Sequence, residues 1–148
     1  MKRFVWRMQR VLEIRRKEEQ KERVELLKLT ERLVERRGEL LFRRKMLKDV
    51  IDSLADADPK QRLGEQEFFL RHAATSDEQI RRLKDKIGEL ELQQKEKIAE
   101  VLKIRRFKES LEKLRVEAKR QFIEEQERLE QKELDEAATV SFVRKALR

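Results

Sequence analysis

The chain has 148 residues, of which 47% are charged and only 5% aromatic, and it carries a formal net charge of +8. This composition excludes an ordinary globular domain, in which about 25% of residues are charged, and is typical of long paired helices. The sequence has no cysteine, which excludes disulfides and thiolate metal ligands. No apolar run approaches the length of a transmembrane helix or forms a signal-peptide core, so we expect a cytoplasmic protein.

The first predicted element is one long helix over residues 3–55. Its leucines recur every seven residues, which is the apolar repeat of a left-handed coiled coil. The repeat consists of Leu26, Leu33, Leu40, Leu47 and Leu54. Arg36 and Arg43 interrupt the alternate seam position. Residues 15–23 contain no apolar side chain, so we expect this end of the helix to pair only loosely.

The strongest helix break follows at Asp56-Ala57-Asp58-Pro59, because proline is favoured at the first helical position and the aspartate before it can cap the helix. A second helix start is predicted at Thr75, whose spacing from Glu78 is that of a capping box. The apolar cluster Phe68-Phe69-Leu70 lies between the two signals. We therefore predict a partly helical turn region over residues 55–75.

The second predicted helix, residues 76–145, carries a second apolar seam at coiled-coil spacing. Its members are Ile80, Leu83, Ile87, Leu90, Val101, Ile104, Leu111, Phe122 and Leu129. Polar residues interrupt this seam increasingly toward the C-terminus, which indicates that the far end has no full-length partner. The interruptions are Gln94, Lys97, Lys108, Arg115, Glu125 and Lys132.

These elements predict an all-α fold, in which two long helices form an antiparallel coiled-coil hairpin with an overhanging C-terminal helix. The second helix exceeds the first by about 20 residues, or about 30 Å at the rise of an α-helix. We expect one coiled-coil domain spanning residues 1–148. A parallel homodimer is the alternative, and the Asp-Pro break counts against it.

The residue patterns of an enzyme or cofactor site are absent from the sequence. His72 is the only histidine and has no suitable catalytic partner beside it. Phosphate-binding fingerprints need glycine-rich loops that this sequence lacks. The carboxylates alternate with Lys and Arg at the spacing of a solvated helix face. We therefore predict a non-enzymatic protein with no cofactor, metal or small-molecule ligand.

Two segments are candidate binding surfaces. The N-terminal segment places Phe4, Trp6 and Met8 among closely spaced cations, and Trp and Arg are favoured in protein interfaces. The alternative is that Phe4, Met8, Val11 and Leu12 pack onto the second helix, and both can hold if different faces of one helix are used. The cluster Phe68-Phe69-Leu70 is the other candidate, because large apolar groups at a solvated turn need a partner or a local core.

Most of the net positive charge falls in the first half of the chain. Such a region can steer the molecule toward nucleic acid, anionic lipid or an acidic protein. A nucleic-acid-binding coiled coil and a plain structural tether are therefore alternatives. We expect no nucleic acid, because the cations are interspersed with glutamates and no aromatic stacking platform is present.

Short motifs at both ends resemble the FliJ family, the small cytosolic stalk proteins of bacterial flagellar export. The N-terminal motif is Phe4 followed by Val11-Leu12 and Arg15, and the C-terminal motif is Glu133-Leu134-Asp135-Glu136 followed by Phe142. The length, the basic two-helix layout and the central break are similar too, so the resemblance covers nearly the whole chain. Phe122 stands where an aromatic residue, often tyrosine, is expected in that family.

The resemblance implies an antiparallel coiled coil similar to the central stalk of rotary ATP synthases. It implies insertion into a hexameric flagellar export ATPase, contact with the membrane export gate protein, and escort of substrate-specific export chaperones. The protein would be cytoplasmic and peripherally associated with the cytoplasmic face of the cell membrane. The equivalent stalk of an injectisome-type secretion system is the neighbouring alternative.

The resemblance also implies which residues bind each partner. The ATPase-binding residues would be Arg3, Arg7, Arg10, Arg15, Arg16, Glu133, Asp135 and Glu136. The export-gate-binding residues would be Phe42, Met46, Phe68, Phe69 and His72. The first set lies toward the two ends of the chain, and the second lies around the predicted turn.

Overall fold

The computed structural model describes residues 2–56 and 58–148, which form two α-helices and, within those ranges, no β-strand. Helix α1 runs Gln9–Asp56 and helix α2 runs Pro59–Ala146. The predicted all-α helical hairpin is therefore confirmed. Neither of these helices, as far as the described residues go, is apolar enough to cross a membrane.

Internal packing divides the chain into two units, each built from a piece of both helices. One unit, Lys21–Val101, contains the turn between the helices, and we call it the turn unit. The other consists of Met1–Gln20 and Leu102–Arg148, and we call it the terminal unit.

The turn unit is held together by a layer of large apolar side chains from both helices. Leu33 is 1% exposed and packs against Ile87 and Leu90. Leu29 and Leu40 pack against this buried layer. The leucine repeat of α1 therefore contacts the second seam within one molecule, as the seven-residue spacing predicted.

Polar contacts in the turn unit fix the direction of its two helices. Arg37 Nη2 lies 3.0 Å from Glu91 Oε1, and Gln94 Nε2 donates a hydrogen bond to Thr30 Oγ1 at 3.1 Å. Arg37 follows Thr30 along α1, whereas its partner Glu91 precedes Gln94 along α2. The two pieces therefore run antiparallel.

The turn region predicted over residues 55–75 is wrong, because α1 ends at Asp56 and α2 begins at Pro59. Ala57, part of the predicted break, lies outside the described residues. Pro59 does occupy the first helical position, as expected. The capping-box spacing at Thr75 starts no helix, because an N-cap needs non-helical backbone and the chain is already helical there.

Backbone and guanidinium hydrogen bonds close the turn. The carbonyl of Asp58 accepts from the amides of Gln61 and Arg62, both at 2.9 Å, which are the first bonds of α2. The Arg62 side chain donates to the carbonyls of Leu54 at 3.3 Å and Ala55 at 3.0 Å. These carbonyls lie at the C-terminal end of α1, where helix geometry provides no backbone partner.

The terminal unit begins with a non-helical segment, residues 2–8, which we call the strap. Helix α1 starts at Gln9 rather than near residue 3, so the predicted start was too early. The ring of Phe4 packs on Phe122 with centroids 5.4 Å apart, and the guanidinium of Arg115 lies 5.8 Å from the Phe4 centroid. Aromatic packing onto α2 therefore holds the strap, as the alternative for Phe4 proposed.

The charged stretch 15–23, expected to pair only loosely, packs through ion pairs instead. In the terminal unit, Glu19 is 4% exposed and its carboxylate lies 2.6 Å from Lys108 and 3.4 Å from Arg105. In the turn unit, Glu22 pairs with Lys97 at 2.5 Å. The lysines that interrupt the apolar seam of α2, Lys97 and Lys108, therefore pair with glutamates of α1.

The end of α2 extends beyond its paired part. Leu12 and Leu111 are buried in the terminal unit, whereas residues 127–148 are exposed throughout. Leu129, predicted as a seam residue, is 47% exposed. The predicted overhang of the C-terminal helix is therefore present in this unit.

Candidate functional site

The strap and the first turn of α1 carry three of the five arginines assigned to ATPase binding. Arg3 and Arg7 lie in the strap, and Arg10 lies in the first turn of α1. All three side chains are exposed. They are therefore available to a partner.

The other two arginines of that set make contacts inside the terminal unit. Arg15 is half-buried, lies 2.8 Å from Glu18, and places its guanidinium 4.7 Å from the centroid of Phe107. Arg16 is exposed, and its Nε lies 3.4 Å from Glu112 on α2. Arg15 in particular contributes to the packing of the unit.

The acidic residues assigned to the same partner lie on the unpaired end of α2. Glu133, Asp135 and Glu136 are exposed, and Asp135 accepts a hydrogen bond from Gln131 at 3.2 Å. Glu133 lies eleven residues beyond Phe122, or about 16 Å along the helix axis. The arginines around the strap and the acidic residues therefore form two separate patches.

The residues assigned to the export gate lie in the turn unit, and the structure brings four of the five together. Met46, Phe68, Phe69 and His72 line a groove of about 200 Å³ between α1 and α2. The rings of Phe68 and His72 are 4.3 Å apart between centroids. Phe42 lies outside the groove lining and is 63% exposed.

The groove contains residues that the sequence analysis did not select. Leu47, Val50 and Ile80 add apolar wall, and Arg43 adds a cation. Side chains one helical turn apart lie on the same face of a helix. The four-residue spacing of Met46 and Val50 could therefore have predicted that Val50 lines the groove beside Met46. An apolar groove with few polar groups can accept apolar side chains of a partner.

The shortest ion pairs among the described residues of the turn unit are those of Lys97. Its ammonium lies 2.5 Å from a carboxylate oxygen of Glu22 and 2.5 Å from one of Glu25. The hydrogen bonds it donates to Glu22 and Glu25 raise the pKa of Lys97, and the bond from Lys97 lowers the pKa of Glu25. Both groups therefore keep their charges at neutral pH, which suits a structural ion pair.

Metal chemistry has no candidate in the part of the chain that the structure describes. Over residues 2–56 and 58–148, no three His, Cys, Asp or Glu side chains come together in a group that could hold an ion. The contacts described above are those of packing and of surfaces available to other macromolecules.

Comparisons with protein-family models, curated proteins and solved structures find no match to this chain. The resemblance to the FliJ family therefore stays a hypothesis based on short motifs. Function is inferred from the exposed arginines, the acidic end of α2 and the apolar groove.

Proposed function

We propose that the chain is a non-enzymatic stalk and adaptor of the bacterial flagellar protein export apparatus. In this proposal it inserts into a hexameric export ATPase, contacts the membrane export gate protein, and escorts substrate-specific export chaperones. It works in the cytoplasm at the inner face of the cell membrane. The equivalent stalk of an injectisome-type system is the variant of the same proposal.

The observation that carries the proposal is the intramolecular antiparallel pairing of long helices with an exposed end of α2. A stalk that serves a ring of subunits must be stiff, because a flexible chain could not present fixed faces to them. Buried layers such as Leu33 with Ile87 and Leu90 stiffen the turn unit. The exposed residues 127–148 of the terminal unit supply helix surface for a partner.

The charged surface supports contacts that form and break repeatedly. Arg3, Arg7 and Arg10 are exposed, as are the carboxylates at Glu133 and Glu136. Exposed ion pairs contribute only about 0–1 kcal/mol each, so a partner held by several of them can still slip. The groove of the turn unit that Phe68 and Phe69 line is assigned to the gate protein, where apolar contacts would give a more lasting attachment.

The ATPase assignment is tested by reversing three exposed charges in the full chain. Arg3→Glu, Arg7→Glu and Arg10→Glu together should weaken binding to the export ATPase of the same organism by about tenfold or more, since carboxylates would then face the acidic groups that the proposal pairs with these arginines. Arg15 is left unchanged because its contacts with Glu18 and Phe107 support folding. Pull-down and stimulation of ATP hydrolysis by the partner give two readouts.

The control carries the same charge change on α1 of the turn unit. Arg23→Glu, Arg32→Glu and Arg44→Glu alter three exposed arginines outside the proposed contact. This variant should bind the ATPase as the parent chain does. Equal binding by both triple variants and the parent would refute the assignment.

A further inference from the structure

The strap and the first turns of α1 present a cation-rich exposed surface on the terminal unit. Residues 2–17 include seven Lys or Arg and one acidic residue, Glu13, which accepts a hydrogen bond from Gln9 at 3.3 Å. Arg10 and Lys17 are exposed on α1 at helical spacing on either side of Ile14. Positive charge is therefore concentrated on the exposed part of this segment.

Exposed aliphatic side chains lie among these cations. Val5 is 82% exposed between Arg3 and Arg7, and Ile14 is 49% exposed on the same turns of α1 as Arg10. Trp6 is half-buried, so part of its ring system remains accessible. A surface that combines cations with unburied aliphatic groups is suited to a boundary between charge and hydrocarbon.

The strap is held in a fixed position, which keeps this surface formed. Phe4 contacts the ring of Phe122 and lies under the guanidinium of Arg115, so it anchors the strap on α2. The carbonyl of Trp6 accepts from the amide of Gln9 at 3.1 Å, which joins the strap to the start of α1. Val5 and its flanking cations are presented on an anchored segment.

We propose that this surface docks directly on anionic phospholipid headgroups, with Val5, Trp6 and Ile14 entering the headgroup–acyl boundary. A Lys or Arg close to an anionic membrane strengthens binding about fivefold, and Trp favours the membrane interface. Duplex DNA would attract the cations equally, but its phosphate backbone gives no gain to exposed aliphatic groups. The inference goes beyond the proposed function, which reaches the membrane through the gate protein.

Trp6 is the only tryptophan of the sequence, so its fluorescence reports on this surface alone. The full chain is titrated with vesicles of phosphatidylcholine and phosphatidylglycerol, and with vesicles of phosphatidylcholine alone. We expect a blue shift of Trp6 emission, and its quenching by brominated lipid, only with the anionic vesicles. Co-sedimentation gives the partition coefficient.

Two variants separate the charged from the apolar contribution. Arg3→Gln, Arg7→Gln and Arg10→Gln together should lower the partition coefficient on the order of a hundredfold, at about fivefold for each charge. Val5→Gln with Ile14→Gln should lower it about tenfold at unchanged net charge, because less apolar area is buried. Circular dichroism checks that each variant keeps its helix content.

The control replaces two aliphatic residues of the turn unit that are 64% and 65% exposed, Val34→Gln with Leu41→Gln. This variant should bind vesicles as the parent does. The proposal is overturned by equal binding to neutral and anionic vesicles, by no loss in the Val5 and Ile14 variant, or by tighter binding to a duplex oligonucleotide at the same ionic strength. The vesicles contain no protein, so either result leaves the ATPase proposal to its own test.

Discussion

Two layers of the seam in the turn unit are built in opposite ways. Around Leu33, apolar side chains from both helices exclude water, whereas Lys97 places an ammonium group between the carboxylates of Glu22 and Glu25. Burial of a large apolar side chain stabilises by about 1.5–3 kcal/mol. An ion pair removed from water must first offset its desolvation, so its net contribution is smaller.

The difference indicates that the two kinds of layer have different roles in the pairing of the helices. Leucine layers can slide by one heptad and still meet leucine, because the repeat is regular. A charged layer meets its opposite charge at one alignment only, and polar seam positions specify register at a cost in stability. We expect the Leu33 layer to supply stability and the Lys97 layer to fix the alignment.

The largest effect should come from the apolar layer. Leu33→Ala removes a side chain that is 1% exposed, and the lost burial and the cavity should lower the free energy of unfolding by about 3 kcal/mol. Leu27→Ala, at a position 58% exposed on the same helix, should change it by less than about 0.5 kcal/mol. Urea denaturation followed by circular dichroism measures both. Similar values for the two would remove the distinction between core and surface leucines.

An intermediate effect should come from the charged layer. Lys97→Met removes the one cation that contacts both carboxylates, Glu22 and Glu25, among the described residues. The side chain of Lys97 is 19% exposed, so the loss should be about 1–2 kcal/mol at neutral pH rather than the 3–5 kcal/mol of a fully buried pair. Lys95→Met, which removes an exposed cation from the same helix, is the control and should be nearly neutral. A larger loss for Lys95 than for Lys97 would contradict the structure.

The same pair predicts a pH dependence. Lys97 lowers the pKa of Glu25 below its usual 4.5, so this stabilisation is present above about pH 4.5 and is lost as the pH falls through the lowered value. The pKa of Lys97 is raised above its usual 10.5, so its contribution is complete below that value and is lost only in more alkaline solution. Thermal unfolding between pH 7 and 3 should show the acid loss in the parent. A Lys97→Met variant with the same acid slope would count against the pair.

The smallest effect tests the corrected start of α2. Gly64 lies inside the helix, and a Cβ added there meets no atom within 4 Å. Gly64→Ala should therefore stabilise the protein by about 0.5–1 kcal/mol, because glycine loses more backbone entropy in a helix. Gly88→Ala, equally unobstructed and deeper in α2, is the matched control with the same expected gain. Stabilisation by Gly88→Ala alone would indicate that the region around Gly64 is not helical.

The sequence predicted the features that depend on local periodicity. The leucine repeat of α1, the second seam from Ile80 and the place of Pro59 at a first helical position follow from spacing or from proline geometry, whereas the second helix was predicted to begin only at residue 76. The extent of the turn was missed because Thr75 and Glu78 imitate a helix start. A capping signal cannot reveal by sequence alone whether the preceding residues are already helical.

The burial of charged side chains was the main feature that the spacing of apolar residues could not predict. Glu19 is buried because Lys108 and Arg105 meet it from the other helix, and no local pattern indicates a partner so distant in sequence. For the same reason, the sequence did not distinguish Arg15, which packs against Phe107 on the other helix, from Arg10, which is exposed. At the candidate groove, Phe68 and His72 have the spacing of one helical turn. This spacing was not interpreted as helical because residues 55–75 were predicted to form a turn region.

Crosslinking across the turn unit tests the central claim, intramolecular antiparallel pairing, most directly. The parent chain has no cysteine, so Thr30→Cys with Gln94→Cys introduces the only two thiols, at positions whose native side chains are 3.1 Å apart. A short bismaleimide is added to an equal mixture of normal and ¹⁵N-labelled chains. We predict crosslinked peptides in which both halves are normal or both are labelled. Crosslinks formed chiefly between a normal and a labelled chain would contradict the hairpin.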